Sequence, residues 1–399
     1  MTTTINNEDK KLNFSSEQEQ NQACLNSAEH EKNQGCKVLN VPNLRFKEFQ
    51  GEWEKCKLSE ICTFFSGGTP SSSNKDFYGG NIAFIRSGEL HADSTELFIT
   101  QAGFDSSSAK MVEVGDLLLA MYGATSGDIA VSKIKGAINQ AILCIRTKQN
   151  KKFIESVWNK HVSKNLRKYL QGGQGNLSAD IVKGISFFFP TLKEQEKIAN
   201  LVSLLDERIA TQNKIIDKLQ SLIKGIAQNI VRNNKPNVRL SECLECKSST
   251  LQECDVCEQG TYPVYGANGI VGYLDNYNTE DEAVYIIKDG SGVGTVSYVK
   301  GKCSATGTLN TLQAKEGYSL QYLYYLLKVF NFEPYKTGMT IPHIYFKDYG
   351  KAKVFCPSFT EQLRYARLLS AIDNKLSAEQ HILTELSLQK QYLLRQMFI

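Results

Sequence analysis

Pro190-Thr-Leu-Lys-Glu-Gln195 and Pro357-Ser-Phe-Thr-Glu-Gln362 stand 167 residues apart and open two stretches of the same design. Each has a hydroxyl residue after the proline and a glutamate three places on, Thr191-x-x-Glu194 and Ser358-x-x-Glu361. That is the spacing of a capping box, which satisfies orphan N–H groups at a helix start. Residues 191–232 contain no proline and one glycine, and Asn233-Asn-Lys-Pro236 ends them. One long helix is expected there, and a second from Ser358 to the C-terminus. The same shift superposes Ala199, Leu201, Ser203, Asp206, Ile215 and Leu219 on Ala366, Leu368, Ser370, Asp373, Ile382 and Leu386.

Both helices carry a seam with alternating steps of four and three. It runs through Ile198, Val202, Leu205, Ile209, Gln212, Ile216, Leu219, Ile223, Ile226 and Ile230. In the second helix it runs through Tyr365, Leu369, Ile372, Leu376, Glu379, Leu383, Leu386, Lys390, Leu393 and Met397. Sustained heptad spacing predicts a coiled coil. The alternative is two amphipathic helices buried in one core. About 40 residues at 1.5 Å each make a rod of about 60 Å, too long for such a core. Gln212 and Glu379 break the two seams at equivalent positions. In an antiparallel pair they would meet at mid-helix and fix the register; the alternative is two polar residues independently tolerated in a part-exposed seam.

Outward from the helices, the chain reads as two similar modules. Residues 1–40 are rich in Asn, Gln, Glu, Lys and Ser and nearly free of aromatics. That tail cannot bury enough apolar surface to offset its ordering entropy and is expected to be disordered. Residues 41–190 form a first globular module, 191–233 the first helix, 234–357 a second module and 358–399 the second helix. Ile82–Ile85, Val114–Leu119 and Ile138–Ile145 read as strands. The modules begin alike, with Leu58-Ser-Glu60 and Leu240-Ser-Glu242, but there the shift is 182. They therefore differ by insertions between common ends. The fold class expected is α+β: two tandem modules, each followed by a long helix, with the helices pairing antiparallel.

The chain has 399 residues, with 41% hydrophobic, 22% charged and a net charge of +4. That composition is ordinary for globular domains. No stretch approaches the ~18 apolar residues of a membrane span. The N-terminus has no apolar core of a secretory signal, so a cytoplasmic location is expected, with the eleven cysteines reduced. The mild net charge means that any nucleic-acid surface must be a local patch.

Particular motifs give these features a family likeness. Val41-Pro-Asn-Leu-Arg-Phe-Lys-Glu-Phe-Gln-Gly-Glu-Trp53, Ser66-Gly-Gly-Thr-Pro70, Tyr78-Gly-Gly-Asn-Ile82 and Ile85-Arg-Ser-Gly88 mark the first half. Tyr262-Pro-Val-Tyr-Gly-Ala-Asn-Gly-Ile-Val-Gly-Tyr273, Gly290-Ser-Gly-Val-Gly294 and Ile341-Pro-His343 mark the second. With the repeated helices, the chain resembles the specificity subunit of type I restriction–modification systems over residues 41–399. The polar tail and the cysteine-rich start of the second module depart from that pattern. The resemblance implies two target-recognition domains reading the halves of a split DNA site, with the helix pair as spacer and docking platform. It implies methyltransferase (modification) subunits and a restriction/translocase subunit as partners. S-adenosylmethionine, ATP and Mg2+ would belong to those partners, and no cofactor to this chain. Two unlike modules on a rod also suit a bipartite, asymmetric site, whose halves would lie about 34 Å, or a multiple of that, apart.

Base reading needs donors and acceptors on loops that fit the major groove; phosphate contacts need cations and backbone N–H groups. In the first module the candidates are Thr69, Ser71, Ser72, Asn74 and Lys75, then Arg86 and Ser87, then Tyr122, Thr125 and Ser126 in a Gly-rich loop, and Gln174 and Asn176. In the second they are Tyr265 and Asn268, Lys288 and Ser291, and Thr340 and His343. Each loop also reads as an ordinary turn, since Gly, Asn and Ser are turn formers.

Two other signals compete. Cys243-x-x-Cys246 and Cys254-x-x-Cys257 form a paired CxxC array, the pattern of a zinc site. The seven residues between the pairs are fewer than usual, and Cys243 aligns with the apolar Ile61. No metal is expected, with zinc on these four thiols as the alternative. No enzyme signature appears: there is no P-loop, no Asn-Pro-Pro-Tyr or Asp-Pro-Pro-Tyr, and no helix after Gly290-x-Gly-x-Gly294. His91, His161, His343 and His381 are isolated, and His30 lies in the tail. A non-catalytic DNA reader is expected. A coiled-coil protein scaffold without sequence-specific DNA binding is the alternative.

Overall fold

The computed structural model describes residues 14–16, 39–169, 176–338 and 340–399. The chain divides into two units, residues 1–210 with 384–399, and residues 211–383. The division falls inside both long helices.

The first unit starts with β1 (Phe14–Ser16), β2 (Leu44–Phe46), β3 (Glu54–Lys57), α1 (Leu58–Ile61) and β4 (Cys62–Ser66). There follow β5 (Tyr78–Ile85), β6 (Phe98–Ile99), α2 (Gln101–Asp105), β7 (Lys110–Val112), β8 (Leu117–Ala120), β9 (Ile129–Val131), β10 (Gly136–Ile138) and β11 (Ile142–Thr147). Helices α3 (Lys151–Tyr169) and α4 (Ala179–Gly184), strand β12 (Ser186–Phe189) and the long α5 (Leu192–Arg232) complete the run. Two four-stranded sheets, in orders β4-β11-β8-β9 and β6-β5-β10-β7, form the body. Every residue of β8 is buried, for a period-two reason. Leu117 and Leu119 join the cluster of Phe153, Trp158 and Ile198. Leu118 and Ala120 turn to the opposite cluster, with Ile85 and Ile138.

The second unit holds β13 (Val238–Arg239), α6 (Leu240–Cys243), β14 (Leu244–Ser248), β15 (Tyr262–Gly266), β16 (Gly269–Leu274), β17 (Glu282–Ile287), β18 (Val296–Lys300), β19 (Ser304–Ala305) and β20 (Leu309–Ala314). After them come α7 (Leu320–Leu327), α8 (Phe346–Tyr349), β21 (Lys353–Val354) and α9 (Phe359–Gln396). Its main sheet has the order β14-β20-β17-β18, and a smaller one the order β16-β15-β19.

The two units share one frame. Ile142 faces Ala120, and Leu309 faces Ile287. Leu143 faces Ser66, and Asn310 faces Ser248. β8, β9, β11, α4, β12 and α5 all find their counterparts 167 residues on, whereas α1 and β4 find theirs 182 residues on. The 15-residue difference therefore falls between β4 and β8, in segment 67–116 against segment 249–283.

The helix openings are equivalent down to their amides. Gln195 donates Nε2–H to Pro190 O at 2.8 Å and accepts at Oε1 from Asn150 N at 3.1 Å. Gln362 donates to Pro357 O at 2.9 Å and accepts from Ser319 N at 2.9 Å. Each glutamine thus ties the start of a long helix to the start of the module's own helix, α3 or α7. The capping carboxylates behave differently from expectation. Glu194, 1% exposed, takes Arg45 at 2.8 Å and Trp53 Nε1 at 3.3 Å, and Glu361 takes the Ser358 hydroxyl at 2.9 Å. A half-buried guanidinium outcompetes a backbone N–H for the first carboxylate.

In both units α5 and α9 run antiparallel. In the first, Asp206 bonds Lys390 at 2.5 Å, and Ile198, Ala199 and Val202 pack with Met397 and Phe398. In the second, Gln212 meets Glu379, and Ile216 and Ile223 share a core with Leu369 and Leu376. The expected seam positions are buried or half-buried throughout.

Three further features differ from the sequence reading. Ile138–Ile145 is two strands, because Asn139–Ala141 turns the chain from one sheet to the other. Helices α3 and α7 went unread: Phe153, Ile154, Val157 and Trp158 of α3 recur at helical spacing, and Leu320–Leu327 is a short apolar run, buried at all but one residue, that reads equally as a strand. Phe14–Ser16, inside the tail expected to be disordered, pairs with β2, whose edge offers it backbone partners. The four cysteines of the CxxC array are not gathered: Cys243 is buried, Cys246 half-buried, and Cys254 and Cys257 exposed. Among the described residues no group of three or more His, Cys, Asp or Glu could hold a metal.

Candidate nucleic-acid interface

Strand directions bring most of the candidate loops of each unit to one end. In the first unit β4, β5, β8 and β10 all finish there, and β11 starts there. Backbone bonds knit the loops: Gly68 N to Ile138 O at 3.2 Å, Asn139 N to Ile85 O at 3.3 Å, Met121 N to Ala141 O at 2.8 Å and Leu177 N to Met121 O at 2.8 Å. The second unit repeats the pattern. Thr306 N bonds Tyr265 O at 2.8 Å, Lys288 N bonds Thr308 O at 3.0 Å, Ile344 N bonds Lys288 O at 2.9 Å and Gly290 N bonds Pro342 O at 2.9 Å.

The β8–β9 turn and the β17–β18 turn use glycine for the same reason. Gly123 and Gly290 have φ of 75° and 92°, and Gly127 and Gly294 of 87° and 90°. A side chain is strained in that region. The turns therefore expose backbone, a surface suited to close approach by a phosphate.

In the first unit Thr69 reaches this end, its hydroxyl bonded to Gln140. Ser71, Ser72, half-buried Asn74 and Lys75 lie on the turn between β4 and β5. There Ser71 bonds Ser73 at 2.7 Å and Asn74 Oδ1 accepts from Asp76 N at 3.0 Å. Arg86 follows β5, with Ser87 beside it, and its guanidinium grips Glu89 at 2.8 and 3.2 Å. That contact holds the Glu89 carboxyl below, and the Arg86 guanidinium above, their ordinary values. Tyr122 is exposed, Thr125 half-buried, and Ser126 donates its hydroxyl to Met121 O at 3.0 Å. Asn176 is exposed; Gln174 lies outside the described residues.

In the second unit the Tyr265 ring packs on Tyr285 at 5.7 Å, and burial raises its hydroxyl pKa. Asn268 is exposed at the β15–β16 turn. Lys288 is half-buried and Ser291 exposed, in one patch with exposed Thr340 and half-buried His343, whose Nδ1 lies 3.1 Å from Ile341 O. Cations at these ends are few, and acids sit beside them: Glu89, Asp128 and Asp289. The surface offers hydroxyls, amides and bare backbone more than charge.

The loop reading missed Asn139 and Gln140 of the first unit and their counterparts Thr306 and Gly307 of the second. The signal was the constant shift of 167, which runs through the module cores and not only the helices.

Comparison with known proteins agrees with this architecture. Residues 50–221 and 234–388 match the family described as type I restriction modification DNA specificity domain. The EcoprrI specificity subunit of a type I restriction enzyme from Escherichia coli is 22% identical over 356 residues, 81% of this chain and 88% of that one. The MjaIX specificity subunit from Methanocaldococcus jannaschii is 26% identical over 182 residues, 42% of each chain. That match spans under half the relative's length. A crystal structure of the S subunit of a type I restriction-modification system from M. genitalium superposes with a TM-score of 0.66 at 18% identity, over 90% of this chain and 99% of that one.

Proposed function

We propose, on the premise that the chain belongs to the type I restriction modification DNA specificity family, that it reads a bipartite, asymmetric duplex DNA target. Each module reads one half, and the antiparallel helices set the gap between them. The observation that carries this reading is the shared frame: both modules end in the same glycine turn and the same knitted loops, but the loops bear different side chains. Two modules of one frame and unlike surface suit two unlike half-sites.

On this reading the chain performs no catalysis. Methyltransferase subunits dock on the helices and bring S-adenosylmethionine, and a restriction/translocase subunit brings ATP and Mg2+. With few cations on the reading ends, positioning on phosphates falls to backbone N–H groups and to the partners. Among the described residues no helix is long and apolar enough to cross a membrane.

Methylome sequencing of a host with and without this chain, its modification subunit present in both, tests the reading. One new split motif with two different halves is expected. No new motif, or an unbroken one, overturns it.

A further inference from the structure

We propose that half-site choice resides in the length-variable segments, 67–116 in the first unit and 249–283 in the second, while the shared frame only seats the duplex. The inference rests on the DNA-reading function above and says which part of each module does the choosing.

The internal repeat supplies the comparison. From β8 to the end of α5, and from the matching point of β17 to the end of the chain, counterparts keep one offset of 167. The frame also repeats its bonds. Gly127 N donates to Ala120 O at 2.8 Å and Gly294 N to Ile287 O at 2.9 Å. The frame turns differ in side chains, Ala124-Thr-Ser126 against Ser291-Gly-Val293, but not in backbone course.

They differ most between β4 and β8. There the first unit builds β5, β6, α2 and β7 and the second builds β15 and β16. Both inserts lay one strand parallel to a frame strand: β5 on β10 and β15 on β19. Ile85 O and Tyr265 O accept from equivalent frame residues, Asn139 and Thr306. The residues that follow therefore leave the sheet at the same place. In the first unit they are Arg86–Glu89, an arginine locked onto a glutamate. In the second they are Gly266–Gly269, a two-residue turn that exposes Asn268. A carboxamide can make a bidentate contact to adenine N6 and N7, which an arginine fork cannot make. The same position on the frame thus carries different reading chemistry.

The test uses the full chain with its modification subunit in a host, read by methylome sequencing. In one variant, residues 249–283 replace residues 67–116. Its motif should keep the second half and the gap and exchange the first half for another copy of the second. Retention of the original first half overturns the inference. Should the graft fail to fold, Asn268→Ala and Ser291→Ala decide. Asn268→Ala should relax one base position of one half-site, with discrimination there falling about five- to a hundred-fold. Ser291→Ala, on a frame loop that seats the duplex, should lower methylation at every site alike and change no letter of the motif. An unchanged motif with Asn268→Ala, or an altered letter with Ser291→Ala, overturns the inference. Absence of any split motif with the natural chain would instead overturn the function on which it rests.

Discussion

Gln212 donates its side-chain amide to the backbone oxygen of Glu379 at 3.0 Å and also to the Glu379 carboxylate. The two residues are 167 apart, so each is the other's counterpart in the repeat. In an antiparallel pair of equivalent helices only the midpoint residues face their own counterparts. Both are buried, in seams that are otherwise almost wholly apolar. A single polar contact at the crossing penalises every shifted alignment, because a shift buries both groups unpaired. Replacing both with leucine should leave the helices folded but allow more than one alignment. Cysteine cross-linking along α5 and α9 would show products at shifted positions. One unchanged set of cross-links would count against a register role.

The same contact predicts a pH dependence. Lys375, and after it Gln212, hold the Glu379 carboxyl below its ordinary value. A depressed folded value means stability that is full above the unfolded value and is lost as pH falls through the folded one. Acid titration of the thermal midpoint should therefore fall less steeply in Glu379→Gln than in the natural chain.

Gly225 is the lone glycine of α5. A Cβ added there meets nothing within 4 Å, and the site is exposed. Gly225→Ala should stabilise the protein by about 0.5–1 kcal/mol through helix propensity. Urea unfolding would measure it, and a loss of stability would mean that the helix is under strain there.

Gly294→Ala should act in the opposite direction. The residue has φ of 90°, and a Cβ would lie 3.2 Å from Phe332 Cβ. Backbone strain of this kind costs about 1–3 kcal/mol. The same unfolding measurement would read it, and a neutral result would contradict the turn geometry.

Gln195→Leu and Gln362→Leu should each cost about 1–3 kcal/mol, since each leaves a proline carbonyl and a helix-start N–H without its partner. Chemical denaturation would measure both, and a neutral result at either would show that its helix start does not depend on the glutamine.

Much of this was legible from side-chain pattern. The helices, their seams and the Gln212–Glu379 meeting follow from spacing, because a heptad records which face is buried. The candidate loops Tyr122–Gly127 and Lys288–Ser291 lie at equivalent turns, since glycine marks positive φ wherever it is required. What pattern could not supply was long-range pairing. Nothing local tells that Arg45 would capture Glu194 across 149 residues, or that Asn139–Ala141 would turn between sheets. Helix α3 went unread although Phe153, Ile154, Val157 and Trp158 recur at helical spacing and pack into one cluster; a single pair of turns beside polar neighbours is a weak local signal.

The most direct test of the spacer claim is deletion of one heptad from both α5 and α9, at matching layers, followed by methylome sequencing with the modification subunit present. Seven residues shorten a helix by about 10 Å, close to three base pairs of duplex. The account predicts a motif with both half-sites intact and the gap shorter by about that amount. An unchanged gap, or altered letters in either half-site, would contradict it.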